Sequence, residues 1–452
     1  MFVALLASDV LALLSLPSVL RQHHGRPAAT MSWLLALFAV PWVGVVCWWL
    51  LGRNHLERRK RQRRSSHEAF SAATERPRGT GGPHFRGLIP GTTDGPQPTR
   101  GNHVEILVDG SRAFPAMLAA IRSARRDVHL LFYIWKNDET GRRLRDLLAE
   151  RSREGVTVRL LLDGWGSILL GRRHLDPLRR AGVHVANFFP VRPWVPSALN
   201  FRNHRKLVVV DGQEAFTGGM NVGREYEVDY HDLMARITGP AVAQLQDVFL
   251  DDWYYATGEL LEAGPPPRWT GDVSLAVLAS GPDQWDNHVH DTLFLTINQA
   301  RERVWVMTPY FVPGPAILAA LRGAAQRGVD VRLLVPRHSD VLPAQVAGRA
   351  LYPLLVEVGV RVCLYDGMLH GKAILFDRDL CMIGSANTDN RSFRLNFELS
   401  CLFRSEPLAR ELERIFAADL ARSEVLDGDG ARRSTSLQAA MGSVIHLFAR
   451  LL

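Results

Sequence analysis

Residues 32–51, SWLLALFAVPWVGVVCWWLL, form an apolar run of 20 residues with no charge. As a helix such a run extends roughly 30 Å, the thickness of a bilayer core. Trp33 stands near one end and Trp48 and Trp49 near the other, where indole rings suit the two membrane–water interfaces. Residues 2–20, FVALLASDVLALLSLPSVL, make a weaker run, interrupted by Asp9 and Pro17. A cleaved signal peptide is one reading, but the stretch lacks a basic start and a second apolar segment follows it. The pattern predicts a two-helix membrane anchor over residues 1–52. A single span or an interfacial first helix is the other reading.

The polarity reverses at residues 53–64, RNHLERRKRQRR, with seven Lys or Arg against one Glu. By the positive-inside rule this flank is cytoplasmic, which makes the anchor a hairpin with RQHHGRPAAT outside. The run reads as a stop-transfer signal, as an attractor of anionic lipid, or, least favoured beside a span, as a nucleic-acid patch. Residues 65–100 are rich in Ser, Thr, Gly and Pro and read as a linker. The basic segment and linker together cover 53–100.

From about residue 101 the pattern alternates between helical and strand periods. TGRRLRDLLAERSREGVTVRLLLDG reads as an amphipathic helix, a stop at Gly155 and a buried strand. Alternation of this kind argues for a sheet covered by helices. The order then recurs: REGVTVRLLL (153–162) matches QRGVDVRLLV (326–335), and AGVHV (181–185) matches VGVRV (358–362). The chain is an internal duplication, with a first α/β half over 101–265, a second over 266–426, and a tail over 427–452. About eleven extra residues in the first half fall in FFPVRPWVPSALN. There Phe188, Phe189, Trp194 and Val195 either guide acyl chains or pack as a loop. The tail places Leu437, Met441, Val444, Ile445, Phe448 and Leu451 on one helical face, to lie on a membrane or dock on a domain.

The chemistry sits in the duplication. HRKLVVVD (204–211) and HGKAILFD (370–377) share the pattern His-x-Lys-x4-Asp, and their lysines are two of only four in the chain. Asn221 and Asn387 each follow 17 positions after their His, in the turns Gly218-Gly219-Met220-Asn221 and Gly384-Ser385-Ala386-Asn387. Asp232 and Glu398 each follow 28 positions after. Read as strands, both motifs point His and Lys to one face. The small-residue turns at Gly219 and Ser385 let backbone and Asn amides approach an anion. The acid downstream in each copy, Asp232 for His204 and Glu398 for His370, is expected to take the Nδ1 proton and fix the tautomer. Asp211 and Asp377 sit at odd offset and are expected to support the site structurally. Two compact ammonium groups reach one phosphate without the planar fork of guanidinium. The acids do not gather at metal-ligand spacing, so neither metal nor cofactor is called for.

The paired motifs resemble the phospholipase D superfamily. NFRNHRKLVVVDG…FTGGMNVGREY, TPYFVP and HGKAILFD…IGSANTDNRSFRLNFEL resemble bacterial cardiolipin synthases, over roughly residues 101–425. The resemblance implies two similar phospholipase D-like α/β halves sharing one active site, behind N-terminal transmembrane helices in the cell (inner) membrane. It implies double displacement with His204 as nucleophile and His370 as acid and base, an order in which the sequence itself is symmetric. Lys206, Lys372, Asn221 and Asn387 would hold the non-bridging oxygens.

Composition then narrows the partners. The net charge of +8 and pI near 9.6 suit a polyanion. Cys47, Cys363, Cys381 and Cys401 form no C-x-x-C pair and support neither zinc nor a disulfide framework. The expectation is a membrane phosphatidyltransferase joining two phosphatidylglycerols with release of glycerol. The alternatives are a phospholipase D that hands the group to water and, in a different class, a nuclease. The apolar spans and the lack of an aromatic-and-basic reading surface stand against nucleic acid.

Overall fold

The computed structural model describes residues 2–22, 27–48, 55–74, 85–90, 97–190, 201–284 and 286–427. Four helices come first: α1 (Phe2–Gln22), α2 (Pro27–Ala39), α3 (Pro41–Cys47) and α4 (His55–Ala73). The first half follows as β1 (Thr99–Val108), α5 (Asp109–Ser123), β2 (Asp127–Phe132), α6 (Glu139–Arg153), β3 (Thr157–Asp163), α7 (Arg172–Arg180) and β4 (His184–Phe188). It continues as β5 (Arg202–Asn203), β6 (Leu207–Val210), β7 (Glu214–Gly218), β8 (Leu233–Thr238) and α8 (Ala241–Thr257). The second half repeats this plan as β9 (Val273–Ser280), α9 (His288–Gln299), β10 (Arg303–Met307), β11 (Phe311–Val312), α10 (Pro315–Gln326) and β12 (Asp330–Pro336). Then come α11 (Leu342–Arg349), α12 (Tyr352–Val356), β13 (Arg361–Tyr365), β14 (Ala373–Phe376), β15 (Leu380–Gly384), β16 (Thr388–Asp389) and α13 (Asn390–Arg394). The half closes with β17 (Asn396–Arg404), α14 (Glu406–Ala421) and β18 (Ser423–Val425).

Local sequence accounts for the repeating unit. In α6 the Asp138 side chain accepts from Gly141 N at 2.9 Å, Leu144, Leu147 and Leu148 are buried, and Gly155 turns the chain at φ 93°. β3 then runs parallel to β2, pairing Leu160 with Leu130.

Both halves join one sheet in the order β18-β13-β12-β10-β14-β15-β17-β9-β1-β8-β7-β6-β2-β3-β4, with β5 attached to β17. β1 and β9 pair antiparallel at the centre, and the same strand sequence runs outward from each. Helices α5–α7 cover one face of the first half, and α9, α10 and α12 that of the second. Helices α8 and α14 pack on the opposite face around a core shared by both halves.

Two expectations change at the amino-terminal end, and the described part of the insertion follows the packed one of its two readings. The predicted continuous helix over 32–51 is broken between Ala39 and Pro41. Pro41 offers no N–H to continue a helix, and Gly44 comes close enough to the Ala36 carbonyl that a Cβ would clash. Among the described residues no helix is long and apolar enough to cross a membrane. Residues 55–73 are helix rather than basic tail and linker: α4 docks on α8, with Phe70 and Arg63 buried. Phe188 and Phe189 are core, stacked edge-on with each other and packed against Phe397. Trp194, Val195 and the tail from Leu437 onward lie outside the described residues.

Candidate active site

The His-x-Lys segments lie just before β6 and β14 rather than within them. Their backbone amides are bonded across the duplication instead: His204 N donates to Phe397 O at 2.9 Å, and His370 N to His231 O at 2.7 Å. β5 pairs with the start of β17, and His231 bridges Leu369. Each histidine is therefore carried up to the acid of the other half.

This overturns the expected pairing of acid and histidine. His204 Nδ1 lies 3.1 Å from Glu398 Oε2, and His370 Nδ1 lies 2.5 Å from Asp232 Oδ2. Equal spacing of 28 residues in the two copies suits either arrangement; the swap follows from strand pairing between halves. The turn residues shape the acids' seats. A Cβ at Gly219 would stand 2.1 Å from Asp232 Oδ1, so only glycine leaves room there. At the matching position Ser385 Oγ donates to Glu398 Oε2 at 2.5 Å, and Asn396 Nδ2 donates to Oε1 at 3.1 Å.

Lys206 is wholly buried; its Nζ donates to His204 O at 2.7 Å and sits 5.5 Å from the Tyr133 ring centre. Lys372 Nζ donates to His370 O and lies 2.9 Å from His370 Nδ1. Asn221 Oδ1 accepts from Ile134 N at 3.0 Å, while Asn387 is buried with its side-chain oxygen unpartnered among the described residues. Asp211 and Asp377 stand at the far ends of β6 and β14. Each, in the left-handed region at φ 52° and 45°, accepts the amides of a three-residue turn, 125–127 and 301–303.

Burial dominates the electrostatics. It pushes His204 down to about 4 against the pull of Glu398, with Lys206 adding to the depression. His370 also falls to about 4, through burial and the neighbouring Lys372. Burial lowers Lys372 to about 8 and Lys206 well below its ordinary value. For Glu398, burial acts upward, but His204, Lys206 and the Ser385 hydroxyl outweigh it and hold the carboxyl below the ordinary range. An ionised Glu398 accepts a hydrogen bond from Nδ1–H and leaves His204 Nε2 with its lone pair. The arrangement can attack, protonate and neutralise at one anionic centre.

Residues 117–253 and 293–420 match the family model "Cardiolipin synthase, PLD-like domain", and each stretch contains one motif copy. The chain belongs to this family. Residues 10–53 match a second model, "Phospholipase_D-nuclease N-terminal". The chain is 37% identical to the cardiolipin synthase of Geobacillus kaustophilus, over 90% of its own length and 86% of that protein. It is 38% identical to cardiolipin synthase A of Pseudomonas fluorescens, over 94% and 92%. The crystal structure of phosphatidylserine synthase from Haemophilus influenzae shares the fold, with a TM-score of 0.61 at 16% identity over 77% and 93% of the two chains.

Aromatic rings complete the family's paired site: Tyr133 stands 4.9 Å from the His204 ring, and Tyr226 and Tyr230 stand 5.3 and 5.6 Å from His370. They escaped the sequence reading because no tyrosine recurs at matched offset. Asn396 was accessible in principle, two positions before Glu398 in a strand and hence on its face.

Proposed function

We propose that this chain is a membrane-associated phosphatidyltransferase that makes cardiolipin from two phosphatidylglycerols and releases glycerol. The crossed His–carboxylate pairs carry the proposal, since each holds Nδ1 and leaves Nε2 to react. His204 Nε2 attacks the phosphorus of the first lipid, the bond to its glycerol headgroup breaks, and His370 gives that oxygen its proton. His370 gains the proton when the phosphodiester enters, because an anion beside an imidazole raises its pKa. A hydroxyl of the second phosphatidylglycerol then passes its proton to His370 and displaces His204. Lys206, Lys372, Asn221 and Asn387 hold the non-bridging oxygens as charge builds. Asp232 and Glu398 orient the rings, and Asp211 and Asp377 brace the turns that start β2 and β10.

Membrane attachment runs through α1–α3. Leu14, Met31, Leu35, Phe38, Trp42 and Val43 are exposed there, a surface suited to lipid rather than water. The basic flank supports a cytoplasmic side for the catalytic halves.

The test incubates the purified full chain with phosphatidylglycerol micelles, without CDP-diacylglycerol or divalent metal. Cardiolipin with equimolar glycerol is expected. Phosphatidic acid alone would make the chain a hydrolase, and DNA cleavage without either lipid product would make it a nuclease.

A further inference from the structure

The helix that follows the anchor reaches the reaction centre through a buried chain of charges. Arg63 of α4 is 2% exposed and donates to both oxygens of Asp251, at 2.9 and 2.6 Å, and to Asp252 Oδ1 at 2.9 Å. Asp252, with no exposed surface, turns its other oxygen to Asn203 Nδ2 at 2.9 Å and Arg205 Nη1 at 2.7 Å. Asn203 and Arg205 are the two neighbours of His204. Arg205 continues to Glu398 O at 3.2 Å and Ser280 O at 3.1 Å. One carboxylate thus grips the chain on both sides of the histidine, and one guanidinium ties that chain to the backbone of its acid.

We propose that Arg63 is a positioning residue for His204, acting through Asp252 and Arg205; the proposal rests on the reading of His204 as the nucleophile. The duplication does not explain the arrangement, because Gly371 stands where Arg205 stands in the first copy. Without Arg63, Asp252 keeps Asn203 and Arg205 but stands uncompensated beside Asp251, whose remaining contact is His67 at 2.8 Å, and the repulsion of the two carboxylates displaces Asp252. Asn203 and Arg205 then lose their common acceptor, and the His204–Glu398 contact loosens. Through Arg63, helix α4 is in this way coupled to the position of His204, although it lies outside both duplicated halves.

The experiment uses the full chain in detergent micelles, with bis(p-nitrophenyl) phosphate as the turnover probe. The His204 titration is followed by NMR on protein carrying 15N-histidine, and the signal is assigned by its loss in His204→Asn. Arg63→Ala is expected to lower kcat about tenfold or more with KM within about twofold, and to move the His204 midpoint downward, because the loosened Glu398 contact is the one that pulls it up against burial. Arg63→Lys should recover a substantial part of both. Phe70→Ala removes an apolar contact of the same helix, with the Tyr254 ring at 6.1 Å. It should leave kcat within about twofold even where it lowers Tm. An unmoved titration in Arg63→Ala, or an equal kcat loss in Phe70→Ala, overturns the proposal. A wild-type chain that forms no cardiolipin overturns the phosphatidyl-transfer reading instead, and the titration still decides this one.

Discussion

His204 finds its carboxylate 194 residues downstream: Nδ1 and Glu398 Oε2 meet at 3.1 Å although they belong to different copies of the duplication. Neither half therefore contains a complete histidine–acid pair, and neither half is expected to react alone. The crossing also assigns each acid to a step.

Glu398→Gln removes the acceptor for the nucleophile's proton, and Asp232→Asn removes that of the acid and base. With a p-nitrophenyl phosphodiester, whose leaving group needs no proton, Glu398→Gln should lose about 10²–10⁴-fold and Asp232→Asn far less. Kinetics on that ester and on phosphatidylglycerol separate the two. The reverse order would make His370 the nucleophile and His204 the acid and base.

The pH profile should be broad. His204 must be neutral to attack, and at about 4 it stays so well below the ordinary imidazole value. Lys372 must be charged to hold the phosphate, and at about 8 it loses its proton as pH rises through that value. With the p-nitrophenyl diester, whose leaving group needs no proton from His370, the expected kcat/KM, which reports the free enzyme, is flat between these limits and falls on both sides. Lys372→Arg should move the alkaline limb upward while lowering the plateau, because the fork of guanidinium does not fit an ammonium seat.

Gly219→Ala and Ser385→Ala occupy matched positions with different consequences. The first drives a methyl into Asp232, where the Cβ would stand 2.1 Å from Oδ1. The second deletes one donor to Glu398, which keeps Asn396 at 3.1 Å. Activity loss in Gly219→Ala should exceed that in Ser385→Ala by about tenfold, measured as cardiolipin formed at saturating lipid.

His231 clamps the halves from below the site, with Nδ1 2.7 Å from Asp109 and Nε2 2.9 Å from Asp419. Burial acts downward, but the two carboxylates outweigh it and raise the imidazole to about 10 from 6.5. The folded value exceeds the unfolded one, so this stabilisation is complete below pH 6.5 and is lost as pH rises through 10. Thermal melts should show His231→Gln lowering Tm by about a few degrees at pH 6, with the difference shrinking at alkaline pH.

Much of this was legible in linear pattern because its causes are local. Helix period, Gly155 and the buried strands predict the α/β unit, and the repeat of His, Lys, Asn and acid at common offsets identifies two half-sites. The amino-terminal end is less legible in the sequence. Hydropathy registers the apolar content of residues 32–51, but a missing N–H at Pro41 and a close approach at Gly44 decide whether the helix continues. Charge counting likewise registers the basic run without showing that Arg63 is buried against Asp251 and Asp252.

Sequence by itself determined the inventory: two imidazoles, two ammonium groups, two acids, and turns small enough to seat them. Only the tertiary structure decided the partnerships. β5 lies beside β17, and His231 beside Leu369, so the acids change sides. Identical spacings in a duplicated chain are equally consistent with pairing within a copy and across copies. Backbone hydrogen bonds between the halves are what separate the two, and those bonds leave no period in the sequence.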